Sequence, residues 1–390
     1  MKETLEKEFE KYFNEAPSKY YFSPGRVNLI GEHIDYNGGK VLPMAISLGI
    51  YAAVKESSDD RIKVVSCGFN DRPIEFSIDQ KEKKGDFTDY IIGVTRAIEE
   101  SQGIKLDKGF SLYLESTLPP ASGLSSSAAL ELLISHIIDD MYDLGLTDLE
   151  MVKLSQKAER EYVLVNCGIM DQFAIGMSRK DKAILLDTDT LDYSYIDFNL
   201  ASCSLIIINT NKPRALVESK YNERRAECDE VLSVLKRIKP KDNLCSYELC
   251  ELDKIKGEIG QTLYKRARHV ISENKRVNDF TLALKDGDLV KAGIILNSSH
   301  ASLKEDYEVS GLNLDVICSE LKKNELVLGA RMTGAGFGGC AIALFNTTDM
   351  KKIGEVMAKV DNVYKEKTNL NLSYYLAESH DKTGELNENN

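Results

Sequence analysis

Nowhere in this chain of 390 residues is there a run of about 18 apolar residues, so no stretch is expected to span a bilayer as a helix. The opening MKETLEKEFEKYF has no long apolar core of the kind a signal peptide carries, and a cytoplasmic location is expected. Among the eight cysteines there is no C-x-x-C pair and no zinc-type spacing with any of the five scattered histidines. Most sit in apolar runs, so free, buried thiols in a reducing compartment are expected. Positive charge is in deficit: 50 Lys and Arg against 62 Asp and Glu leave a net charge of −12. That balance argues against broad binding of nucleic acid or an anionic membrane, though not against a local anion site built from backbone N–H groups. Internal repeats, low-complexity tracts and Pro/Gly linkers are also missing ahead of the polar tail GELNENN. What is present, 43% apolar and 29% charged residues, is an ordinary globular composition with room for two domains or one large one.

Residues 119–132, PPASGLSSSAALEL, set three consecutive serines directly ahead of an apolar helical run. Inside a helix such serines compete for backbone hydrogen bonds; at its start they are useful. The first turn leaves about four N–H groups unpaired at the positive end of the helix dipole. A glycine-containing approach to that end seats an anion such as phosphate, while the plainer alternative is an ordinary Ser N-cap. Two known nucleotide designs fail here. The loop has no lysine and is therefore no P-loop. Gly334-Ala-Gly336-Phe-Gly338-Gly339 fits G-x-G-x-x-G, but the strand-like CAIALF follows it where a dinucleotide site needs a helix. Neither H-R-D nor D-F-G occurs, which excludes the protein-kinase signature.

The rest of the chain alternates strand and helix patterns in both halves, which predicts α+β architecture with a boundary near 190–205. Residues 2–16 read as a short charged helix, and 124–141 as a buried one, apolar over much of its circumference. Thr147 and Glu150 have capping-box spacing, predicting a helix over about 148–165 with Gly168 as its stop. CSLIIINT at 203–210 reads as a strand, with helices from there to about 305. GARMTGAGFGGCAIALF at 329–345 reads as a glycine-rich turn running into a strand. Between 23 and 39, SPGRVNLIGEHIDYNGG brings Arg26, Glu32, His33 and Asp35 within ten residues of one another, flanked by glycines. This is either a solvated loop or, given the apolar strands on both sides, the edge of a site for a hydroxyl-rich small molecule.

PGRVNLIGEHIDYN, LPPASGLSSSAALELL and GARMTGAGFGGCAIAL, in this order, resemble the three motifs of the GHMP small-molecule kinases, the first matching the signature of the galactokinase family. CGIMDQFA (167–174), KYNERRAEC (220–228) and SHASLKEDYEVSGLNLD (299–315) are similar to that family too, so the likeness runs from about residue 20 to 380. The resemblance implies an α+β GHMP kinase fold. A ribosomal protein S5 domain 2-like N-terminal domain (1–200) and a ferredoxin-like C-terminal domain (201–390) would flank an active-site cleft, with the extreme C-terminus packing back on the first domain. It implies action on galactose and ATP with Mg²⁺, phosphorylating the anomeric hydroxyl; a monomer is expected, though no residue pattern speaks to oligomeric state. A kinase of N-acetylgalactosamine and a non-catalytic galactose sensor are the alternatives.

By the same resemblance, Asp171 would be the catalytic base with Arg26 beside it. Glu32, His33, Asp35, Gly168, Asp171 and Tyr221 would bind the sugar. Ala121, Ser122, Gly123, Leu124, Ser125, Ser126 and Ser127 would wrap the ATP phosphates, with Ser66 as a further nucleotide contact. Ser127 and Glu159 would hold Mg²⁺, a hard cation suited to a hydroxyl, a carboxylate and phosphate oxygens.

Overall fold

The computed structural model describes residues 1–120, 122–213 and 217–386. A six-stranded sheet orders Gly384–Glu385, Lys19–Asn28, Pro43–Glu56, Phe110–Ser116, Arg61–Ser66 and Ile74–Ser77; only Phe110–Ser116 and Arg61–Ser66 run parallel. Its central strands are apolar on both sides because both faces are covered. Ala52, Val54, Val64 and Leu112 point into the main core, whereas Ala53, Val65 and Tyr113 point the other way and meet Leu5 and Phe9 of the helix Lys2–Phe13. On the core side, helices Ser126–Tyr142 and Met170–Met177 pack against Lys19–Asn28 and Pro43–Glu56.

A second, antiparallel sheet orders Val327–Thr333, Cys340–Phe345, Ser204–Asn209 and Ser373–Leu376. Helices Leu289–Ser302 and Gly311–Leu321 lie on its first strand. The glycine-rich motif is thus a hairpin, its two strands joined by the turn 334–339, where Gly334, Gly336, Phe337, Gly338 and Gly339 all take positive φ. A small sheet of Lys40–Val41, Lys182–Asp187 and Tyr193–Asp197 completes the strands. The chain's end crosses back: Ser379 bridges Ile46, and Gly384 and Glu385 pair with Phe22 and Tyr21.

The capping box forms: Glu150 Oε2 accepts from Thr147 N at 2.8 Å, and Thr147 Oγ1 accepts from Glu150 N at 3.3 Å. The helix that follows differs from expectation. It is regular over Asp148–Lys157, widens into a π-type turn over Ala158–Val163, and stops at Leu164, which is left-handed at φ 72°. Leu164 N and Val165 N both donate to Glu159 O and close the end, so Gly168 is not the stop. None of the eight cysteines is in a disulfide; Cys203, Cys228, Cys245, Cys318 and Cys340 are buried. No helix among the described residues is long and apolar enough to cross a membrane.

Candidate active site

The serine-rich loop leads into the helix Ser126–Tyr142 with Ser125 at the N-cap position, but not as an ordinary cap. Ser125 is left-handed (φ 65°, ψ 50°), and no side chain caps the helix. Its hydroxyl donates instead to Asp171 Oδ2 at 2.5 Å. The first-turn N–H groups are thereby left to an external acceptor, at the positive end of a 17-residue helix. Arg26, near the end of strand Lys19–Asn28, holds the loop from behind. Its backbone N donates to Leu124 O at 3.1 Å and its Nη1 to Gly123 O at 2.8 Å. The glycine-rich turn closes from the other side: a Cβ on Gly334 would lie 3.3 Å from Gly123 O.

The same arginine grips Asp171 with a two-pronged fork, Nε to Oδ1 at 2.8 Å and Nη2 to Oδ2 at 2.7 Å. A carboxylate has about four acceptor sites. Three of those on Asp171 are taken by Arg26 and Ser125, which leaves capacity for one further donor. The Asp171 side chain keeps 33% of its surface exposed while that of Arg26 keeps 5%, so the acid faces a cavity and its partner stands behind it.

That cavity, of about 190 Å³, is lined by Arg26, Glu32, His33, Asp35, Glu159, Cys167, Gly168, Asp171, Tyr221 and Ala335, among others. Every residue that the first-motif cluster supplied is therefore on one wall or another. Glu32 is almost fully committed to the fold. It accepts from Asn28 Nδ2 (2.9 Å), Thr333 Oγ1 (3.0 Å) and Gly334 N (2.7 Å), and forms an ion pair with buried Arg331 at 3.1 Å. Both nitrogens of His33 have protein partners, Tyr36 Oη at 2.8 Å and Ala335 O at 3.2 Å. Asp35 opens a short 3₁₀ turn. Burial, reinforced by the charges of Asp171 and Glu32, pushes its carboxyl up to about 7. Gly168 has no side chain because Asp35 occupies the space: a Cβ there would fall 1.8 Å from Asp35 Oδ2. Tyr221, on the helix Val217–Ile238, packs its ring 5.1 Å from that of Tyr36 and 5.6 Å from that of His33.

Glu159 sits on the widened turn and is turned inward, 7% exposed. Burial raises its pKa, offset in part by hydrogen bonds with Cys167, Gln172 and Ser127. The amide of Gln172 spends both hydrogens on acids, giving one to Glu159 Oε2 at 2.6 Å and one to Glu131 Oε2 at 3.0 Å. Glu131 is wholly buried, and its Oε1 and the Oε1 of Gln172 are without partners. Burial and the nearby charge of Glu159 push the pKa of this carboxyl well up. The reading of the sequence missed both Glu131 and Gln172. A lone glutamate in the apolar run AALELL was the available signal, since burial of an acid demands a partner.

Ser66 ends strand Arg61–Ser66, where its N donates to Asn70 Oδ1 at 2.9 Å, and it does not line the cavity. Ala121 lies outside the described residues. Among the described residues no group of three or more His, Cys, Asp or Glu is arranged to hold a metal by itself. A cation at Ser127 and Glu159 would share its coordination with ligand oxygens and water, the usual manner of Mg²⁺.

The galactokinase galactose-binding signature matches residues 7–56, and the GHMP kinase N-terminal and C-terminal domains match residues 89–179 and 281–362. A galactokinase of Clostridium perfringens is 44% identical over 378 residues, covering 96% of this chain and 97% of its own length. One from Lactococcus lactis is 45% identical over 379 residues, covering 96% and 94%. Among solved structures, Lactococcus lactis galactokinase complexed with galactose superposes with a TM-score of 0.94 at 43% identity, over 98% of this chain and 99% of that one. A Methanococcus jannaschii mevalonate kinase, 20% identical with a TM-score of 0.66 over 93% of this chain and 99% of its own, shares the fold.

Proposed function

This chain belongs to the galactokinase family of the GHMP kinases, and from that premise we propose that it transfers the γ-phosphoryl of ATP to the anomeric hydroxyl of α-D-galactose. The observation that carries the reading is the joint between the two halves of the site. Asp171 faces the cavity and is bonded at once to Arg26 and to Ser125 of the uncapped helix start. A sugar hydroxyl at the free acceptor site of Asp171 would stand beside a phosphate seated on those first-turn N–H groups.

In this reading Arg26 and Ser125 orient the Asp171 carboxylate, and Asp171 accepts the proton of the attacking hydroxyl. A loose phosphoryl-transfer transition state needs orientation more than strong basicity, which suits an acid so firmly held. The spare N–H groups of Arg26 and the helix start stabilise charge on the moving phosphoryl group. Asp35 and Glu32, set on opposite sides of His33 in sequence, accept from the hydroxyls of the hexose, and Tyr221 walls the cavity. Ser127 and Glu159 would hold Mg²⁺. The fit is chemical: Glu159 is a buried acid that accepts from the neutral amide of Gln172, with the Ser127 hydroxyl at hand. Magnesium, when bound, would neutralise phosphate charge at the helix start.

We place the enzyme in the cytoplasm as a monomer; eight cysteines without a disulfide fit a reducing compartment. Coupled release of ADP across a panel of sugars with ATP and Mg²⁺ tests the assignment. Galactose should give the highest kcat/KM. Preference for N-acetylgalactosamine would overturn the substrate, and binding without turnover would indicate a sensor.

A further inference from the structure

KYNERRAEC (220–228) and SHASLKEDYEVSGLNLD (299–315) contribute only Tyr221 to the reaction just described. In the fold the two segments meet behind the sugar cavity. His33 Nδ1 lies 2.8 Å from Tyr36 Oη, Tyr36 Oη 2.9 Å from Tyr307 Oη, and Tyr307 Oη 3.2 Å from Cys228 Sγ. His33, Tyr307 and Cys228 are buried, at 4%, 0% and 1% exposure. The other ring nitrogen of His33, Nε2, is 3.2 Å from Ala335 O in the glycine-rich turn.

One carbonyl sets the direction of every bond in this chain. Ala335 O can only accept, so His33 Nε2 carries a hydrogen. Burial, with His269, Arg224 and Arg331 nearby, lowers the His33 pKa to about 3, so the ring is neutral and Nδ1 is bare. A bare nitrogen accepts, which commits the Tyr36 hydroxyl hydrogen to it. Tyr36 Oη then accepts from Tyr307, and Tyr307 Oη from the Cys228 thiol. The opposite direction needs a buried imidazolium facing two arginines.

We propose that Tyr36, Tyr307 and Cys228 are positioning residues, a one-way chain of donors that sets the tautomer and ring plane of His33 and so clamps the first-motif loop to the glycine-rich turn. The inference rests on the sugar-site reading for its consequence, though not for its geometry. Cys228 and Tyr221 stand two turns apart on one helix, so they share a face, and the chain ties the helix carrying Tyr221 to the first-motif loop that carries His33 and Tyr36. His33 itself is left-handed at φ 62°, a conformation that non-glycine residues keep only when their surroundings hold it. Beside it Glu32 takes the Gly334 N–H, so turning the His33 ring would free one of two adjacent grips on the turn.

Long-range ¹H–¹⁵N spectra of the full chain labelled at histidine read the tautomer directly, whichever sugar is the substrate. His33, identified by its loss in His33→Gln, should carry hydrogen on Nε2 alone at neutral pH. A hydrogen on Nδ1, in either tautomer or imidazolium, overturns the chain. In kinetics, Tyr307→Phe and Cys228→Ala should each raise the KM for galactose about fivefold, the effect of a hydrogen bond worth ~1 kcal/mol, with the KM for ATP within about twofold. Cys228→Ser, whose hydroxyl donates where the thiol did, should restore both KM and the His33 signals. Lower thermal stability with unchanged galactose KM and unchanged His33 signals in both variants would reduce the chain to packing and sink the proposal. Should the wild type prefer another sugar, the sugar assignment fails alone, and the KM comparison is made with that sugar.

Discussion

Asp35 should make the folded chain less stable as pH rises, and replacing it by asparagine should remove that trend. Its carboxyl is raised from 3.8 to about 7, first by burial and then by the charges of Asp171 and Glu32, against the pull of two backbone hydrogen bonds. The folded state therefore holds this proton more tightly than the unfolded chain does. The contribution is fully present below the unfolded value, is lost as pH climbs through the folded value, and levels off above it. At about 1.36 kcal/mol per unit, a shift of roughly three units costs about 4 kcal/mol on the upper plateau. Linkage leaves roughly 1.5–2 kcal/mol of that cost already in force near pH 5. Asn has the same shape and no charge. Its stability advantage over wild type should thus be about 2–3 kcal/mol larger near pH 8 than near pH 5, measured by urea unfolding of both proteins at each pH. An advantage that stays flat across that range would refute the reasoning. The cost is tied to use: kcat/KM for galactose should rise through about pH 7 in the wild type as Asp35 ionises to accept hydroxyls, and the Asp35→Asn profile should lack that limb.

Three further outcomes follow from the geometry. Gly168→Ala places a Cβ 1.8 Å from Asp35 Oδ2, so Asp35 must move; the KM for galactose should rise about tenfold or more while circular dichroism stays that of the wild type. Asp171→Asn keeps a side chain of the same size between Arg26 and Ser125 but cannot take a proton; kcat should fall about 10²–10⁴-fold, with calorimetric galactose affinity changed only a few-fold, and near-normal turnover would remove Asp171 from its role. Glu159→Gln should shift the Mg²⁺ titration of activity to about tenfold higher concentration, and an identical titration would show that the cation is held elsewhere.

What could be read from the sequence, and what could not, divides by the range of the contact. The capping box of Thr147 and Glu150, the helix after the serine run and the glycine-rich hairpin are local, and each is signalled within a few residues of itself. The candidate site residues that line the cavity could be proposed only because three motifs were taken together. Nothing near Arg26 says that it will meet Asp171, 145 positions on. Ser125 shows the limit well. Its residue type and place announce an N-cap, yet its hydroxyl goes to Asp171, because the backbone there is left-handed and aims the side chain away from its own helix. Gly168 misled in the same way: glycine after a helix reads as a stop, whereas Leu164 ends that helix and the missing Cβ serves Asp35.

The residues hidden from a sequence reading are those whose worth is set by partners on other segments. Tyr307 and Cys228 are 79 positions apart, and either one in its own helix is indistinguishable from core. Glu131 differs in kind, because an acid inside an apolar helix contradicts the local pattern, and such a contradiction points to a function or a partner. Its partner proved to be Gln172, the neighbour of Asp171, whose amide also holds Glu159. Glu159 is thus braced from the core by an amide that it shares with a buried acid whose pKa burial raises. That arrangement adds no cation to compete for the phosphate of the proposed reaction. A lysine in place of Gln172 would satisfy both acids equally well as a donor, but it would also neutralise Glu159, the carboxylate proposed to hold the metal, which is a physical reason for an amide at this position.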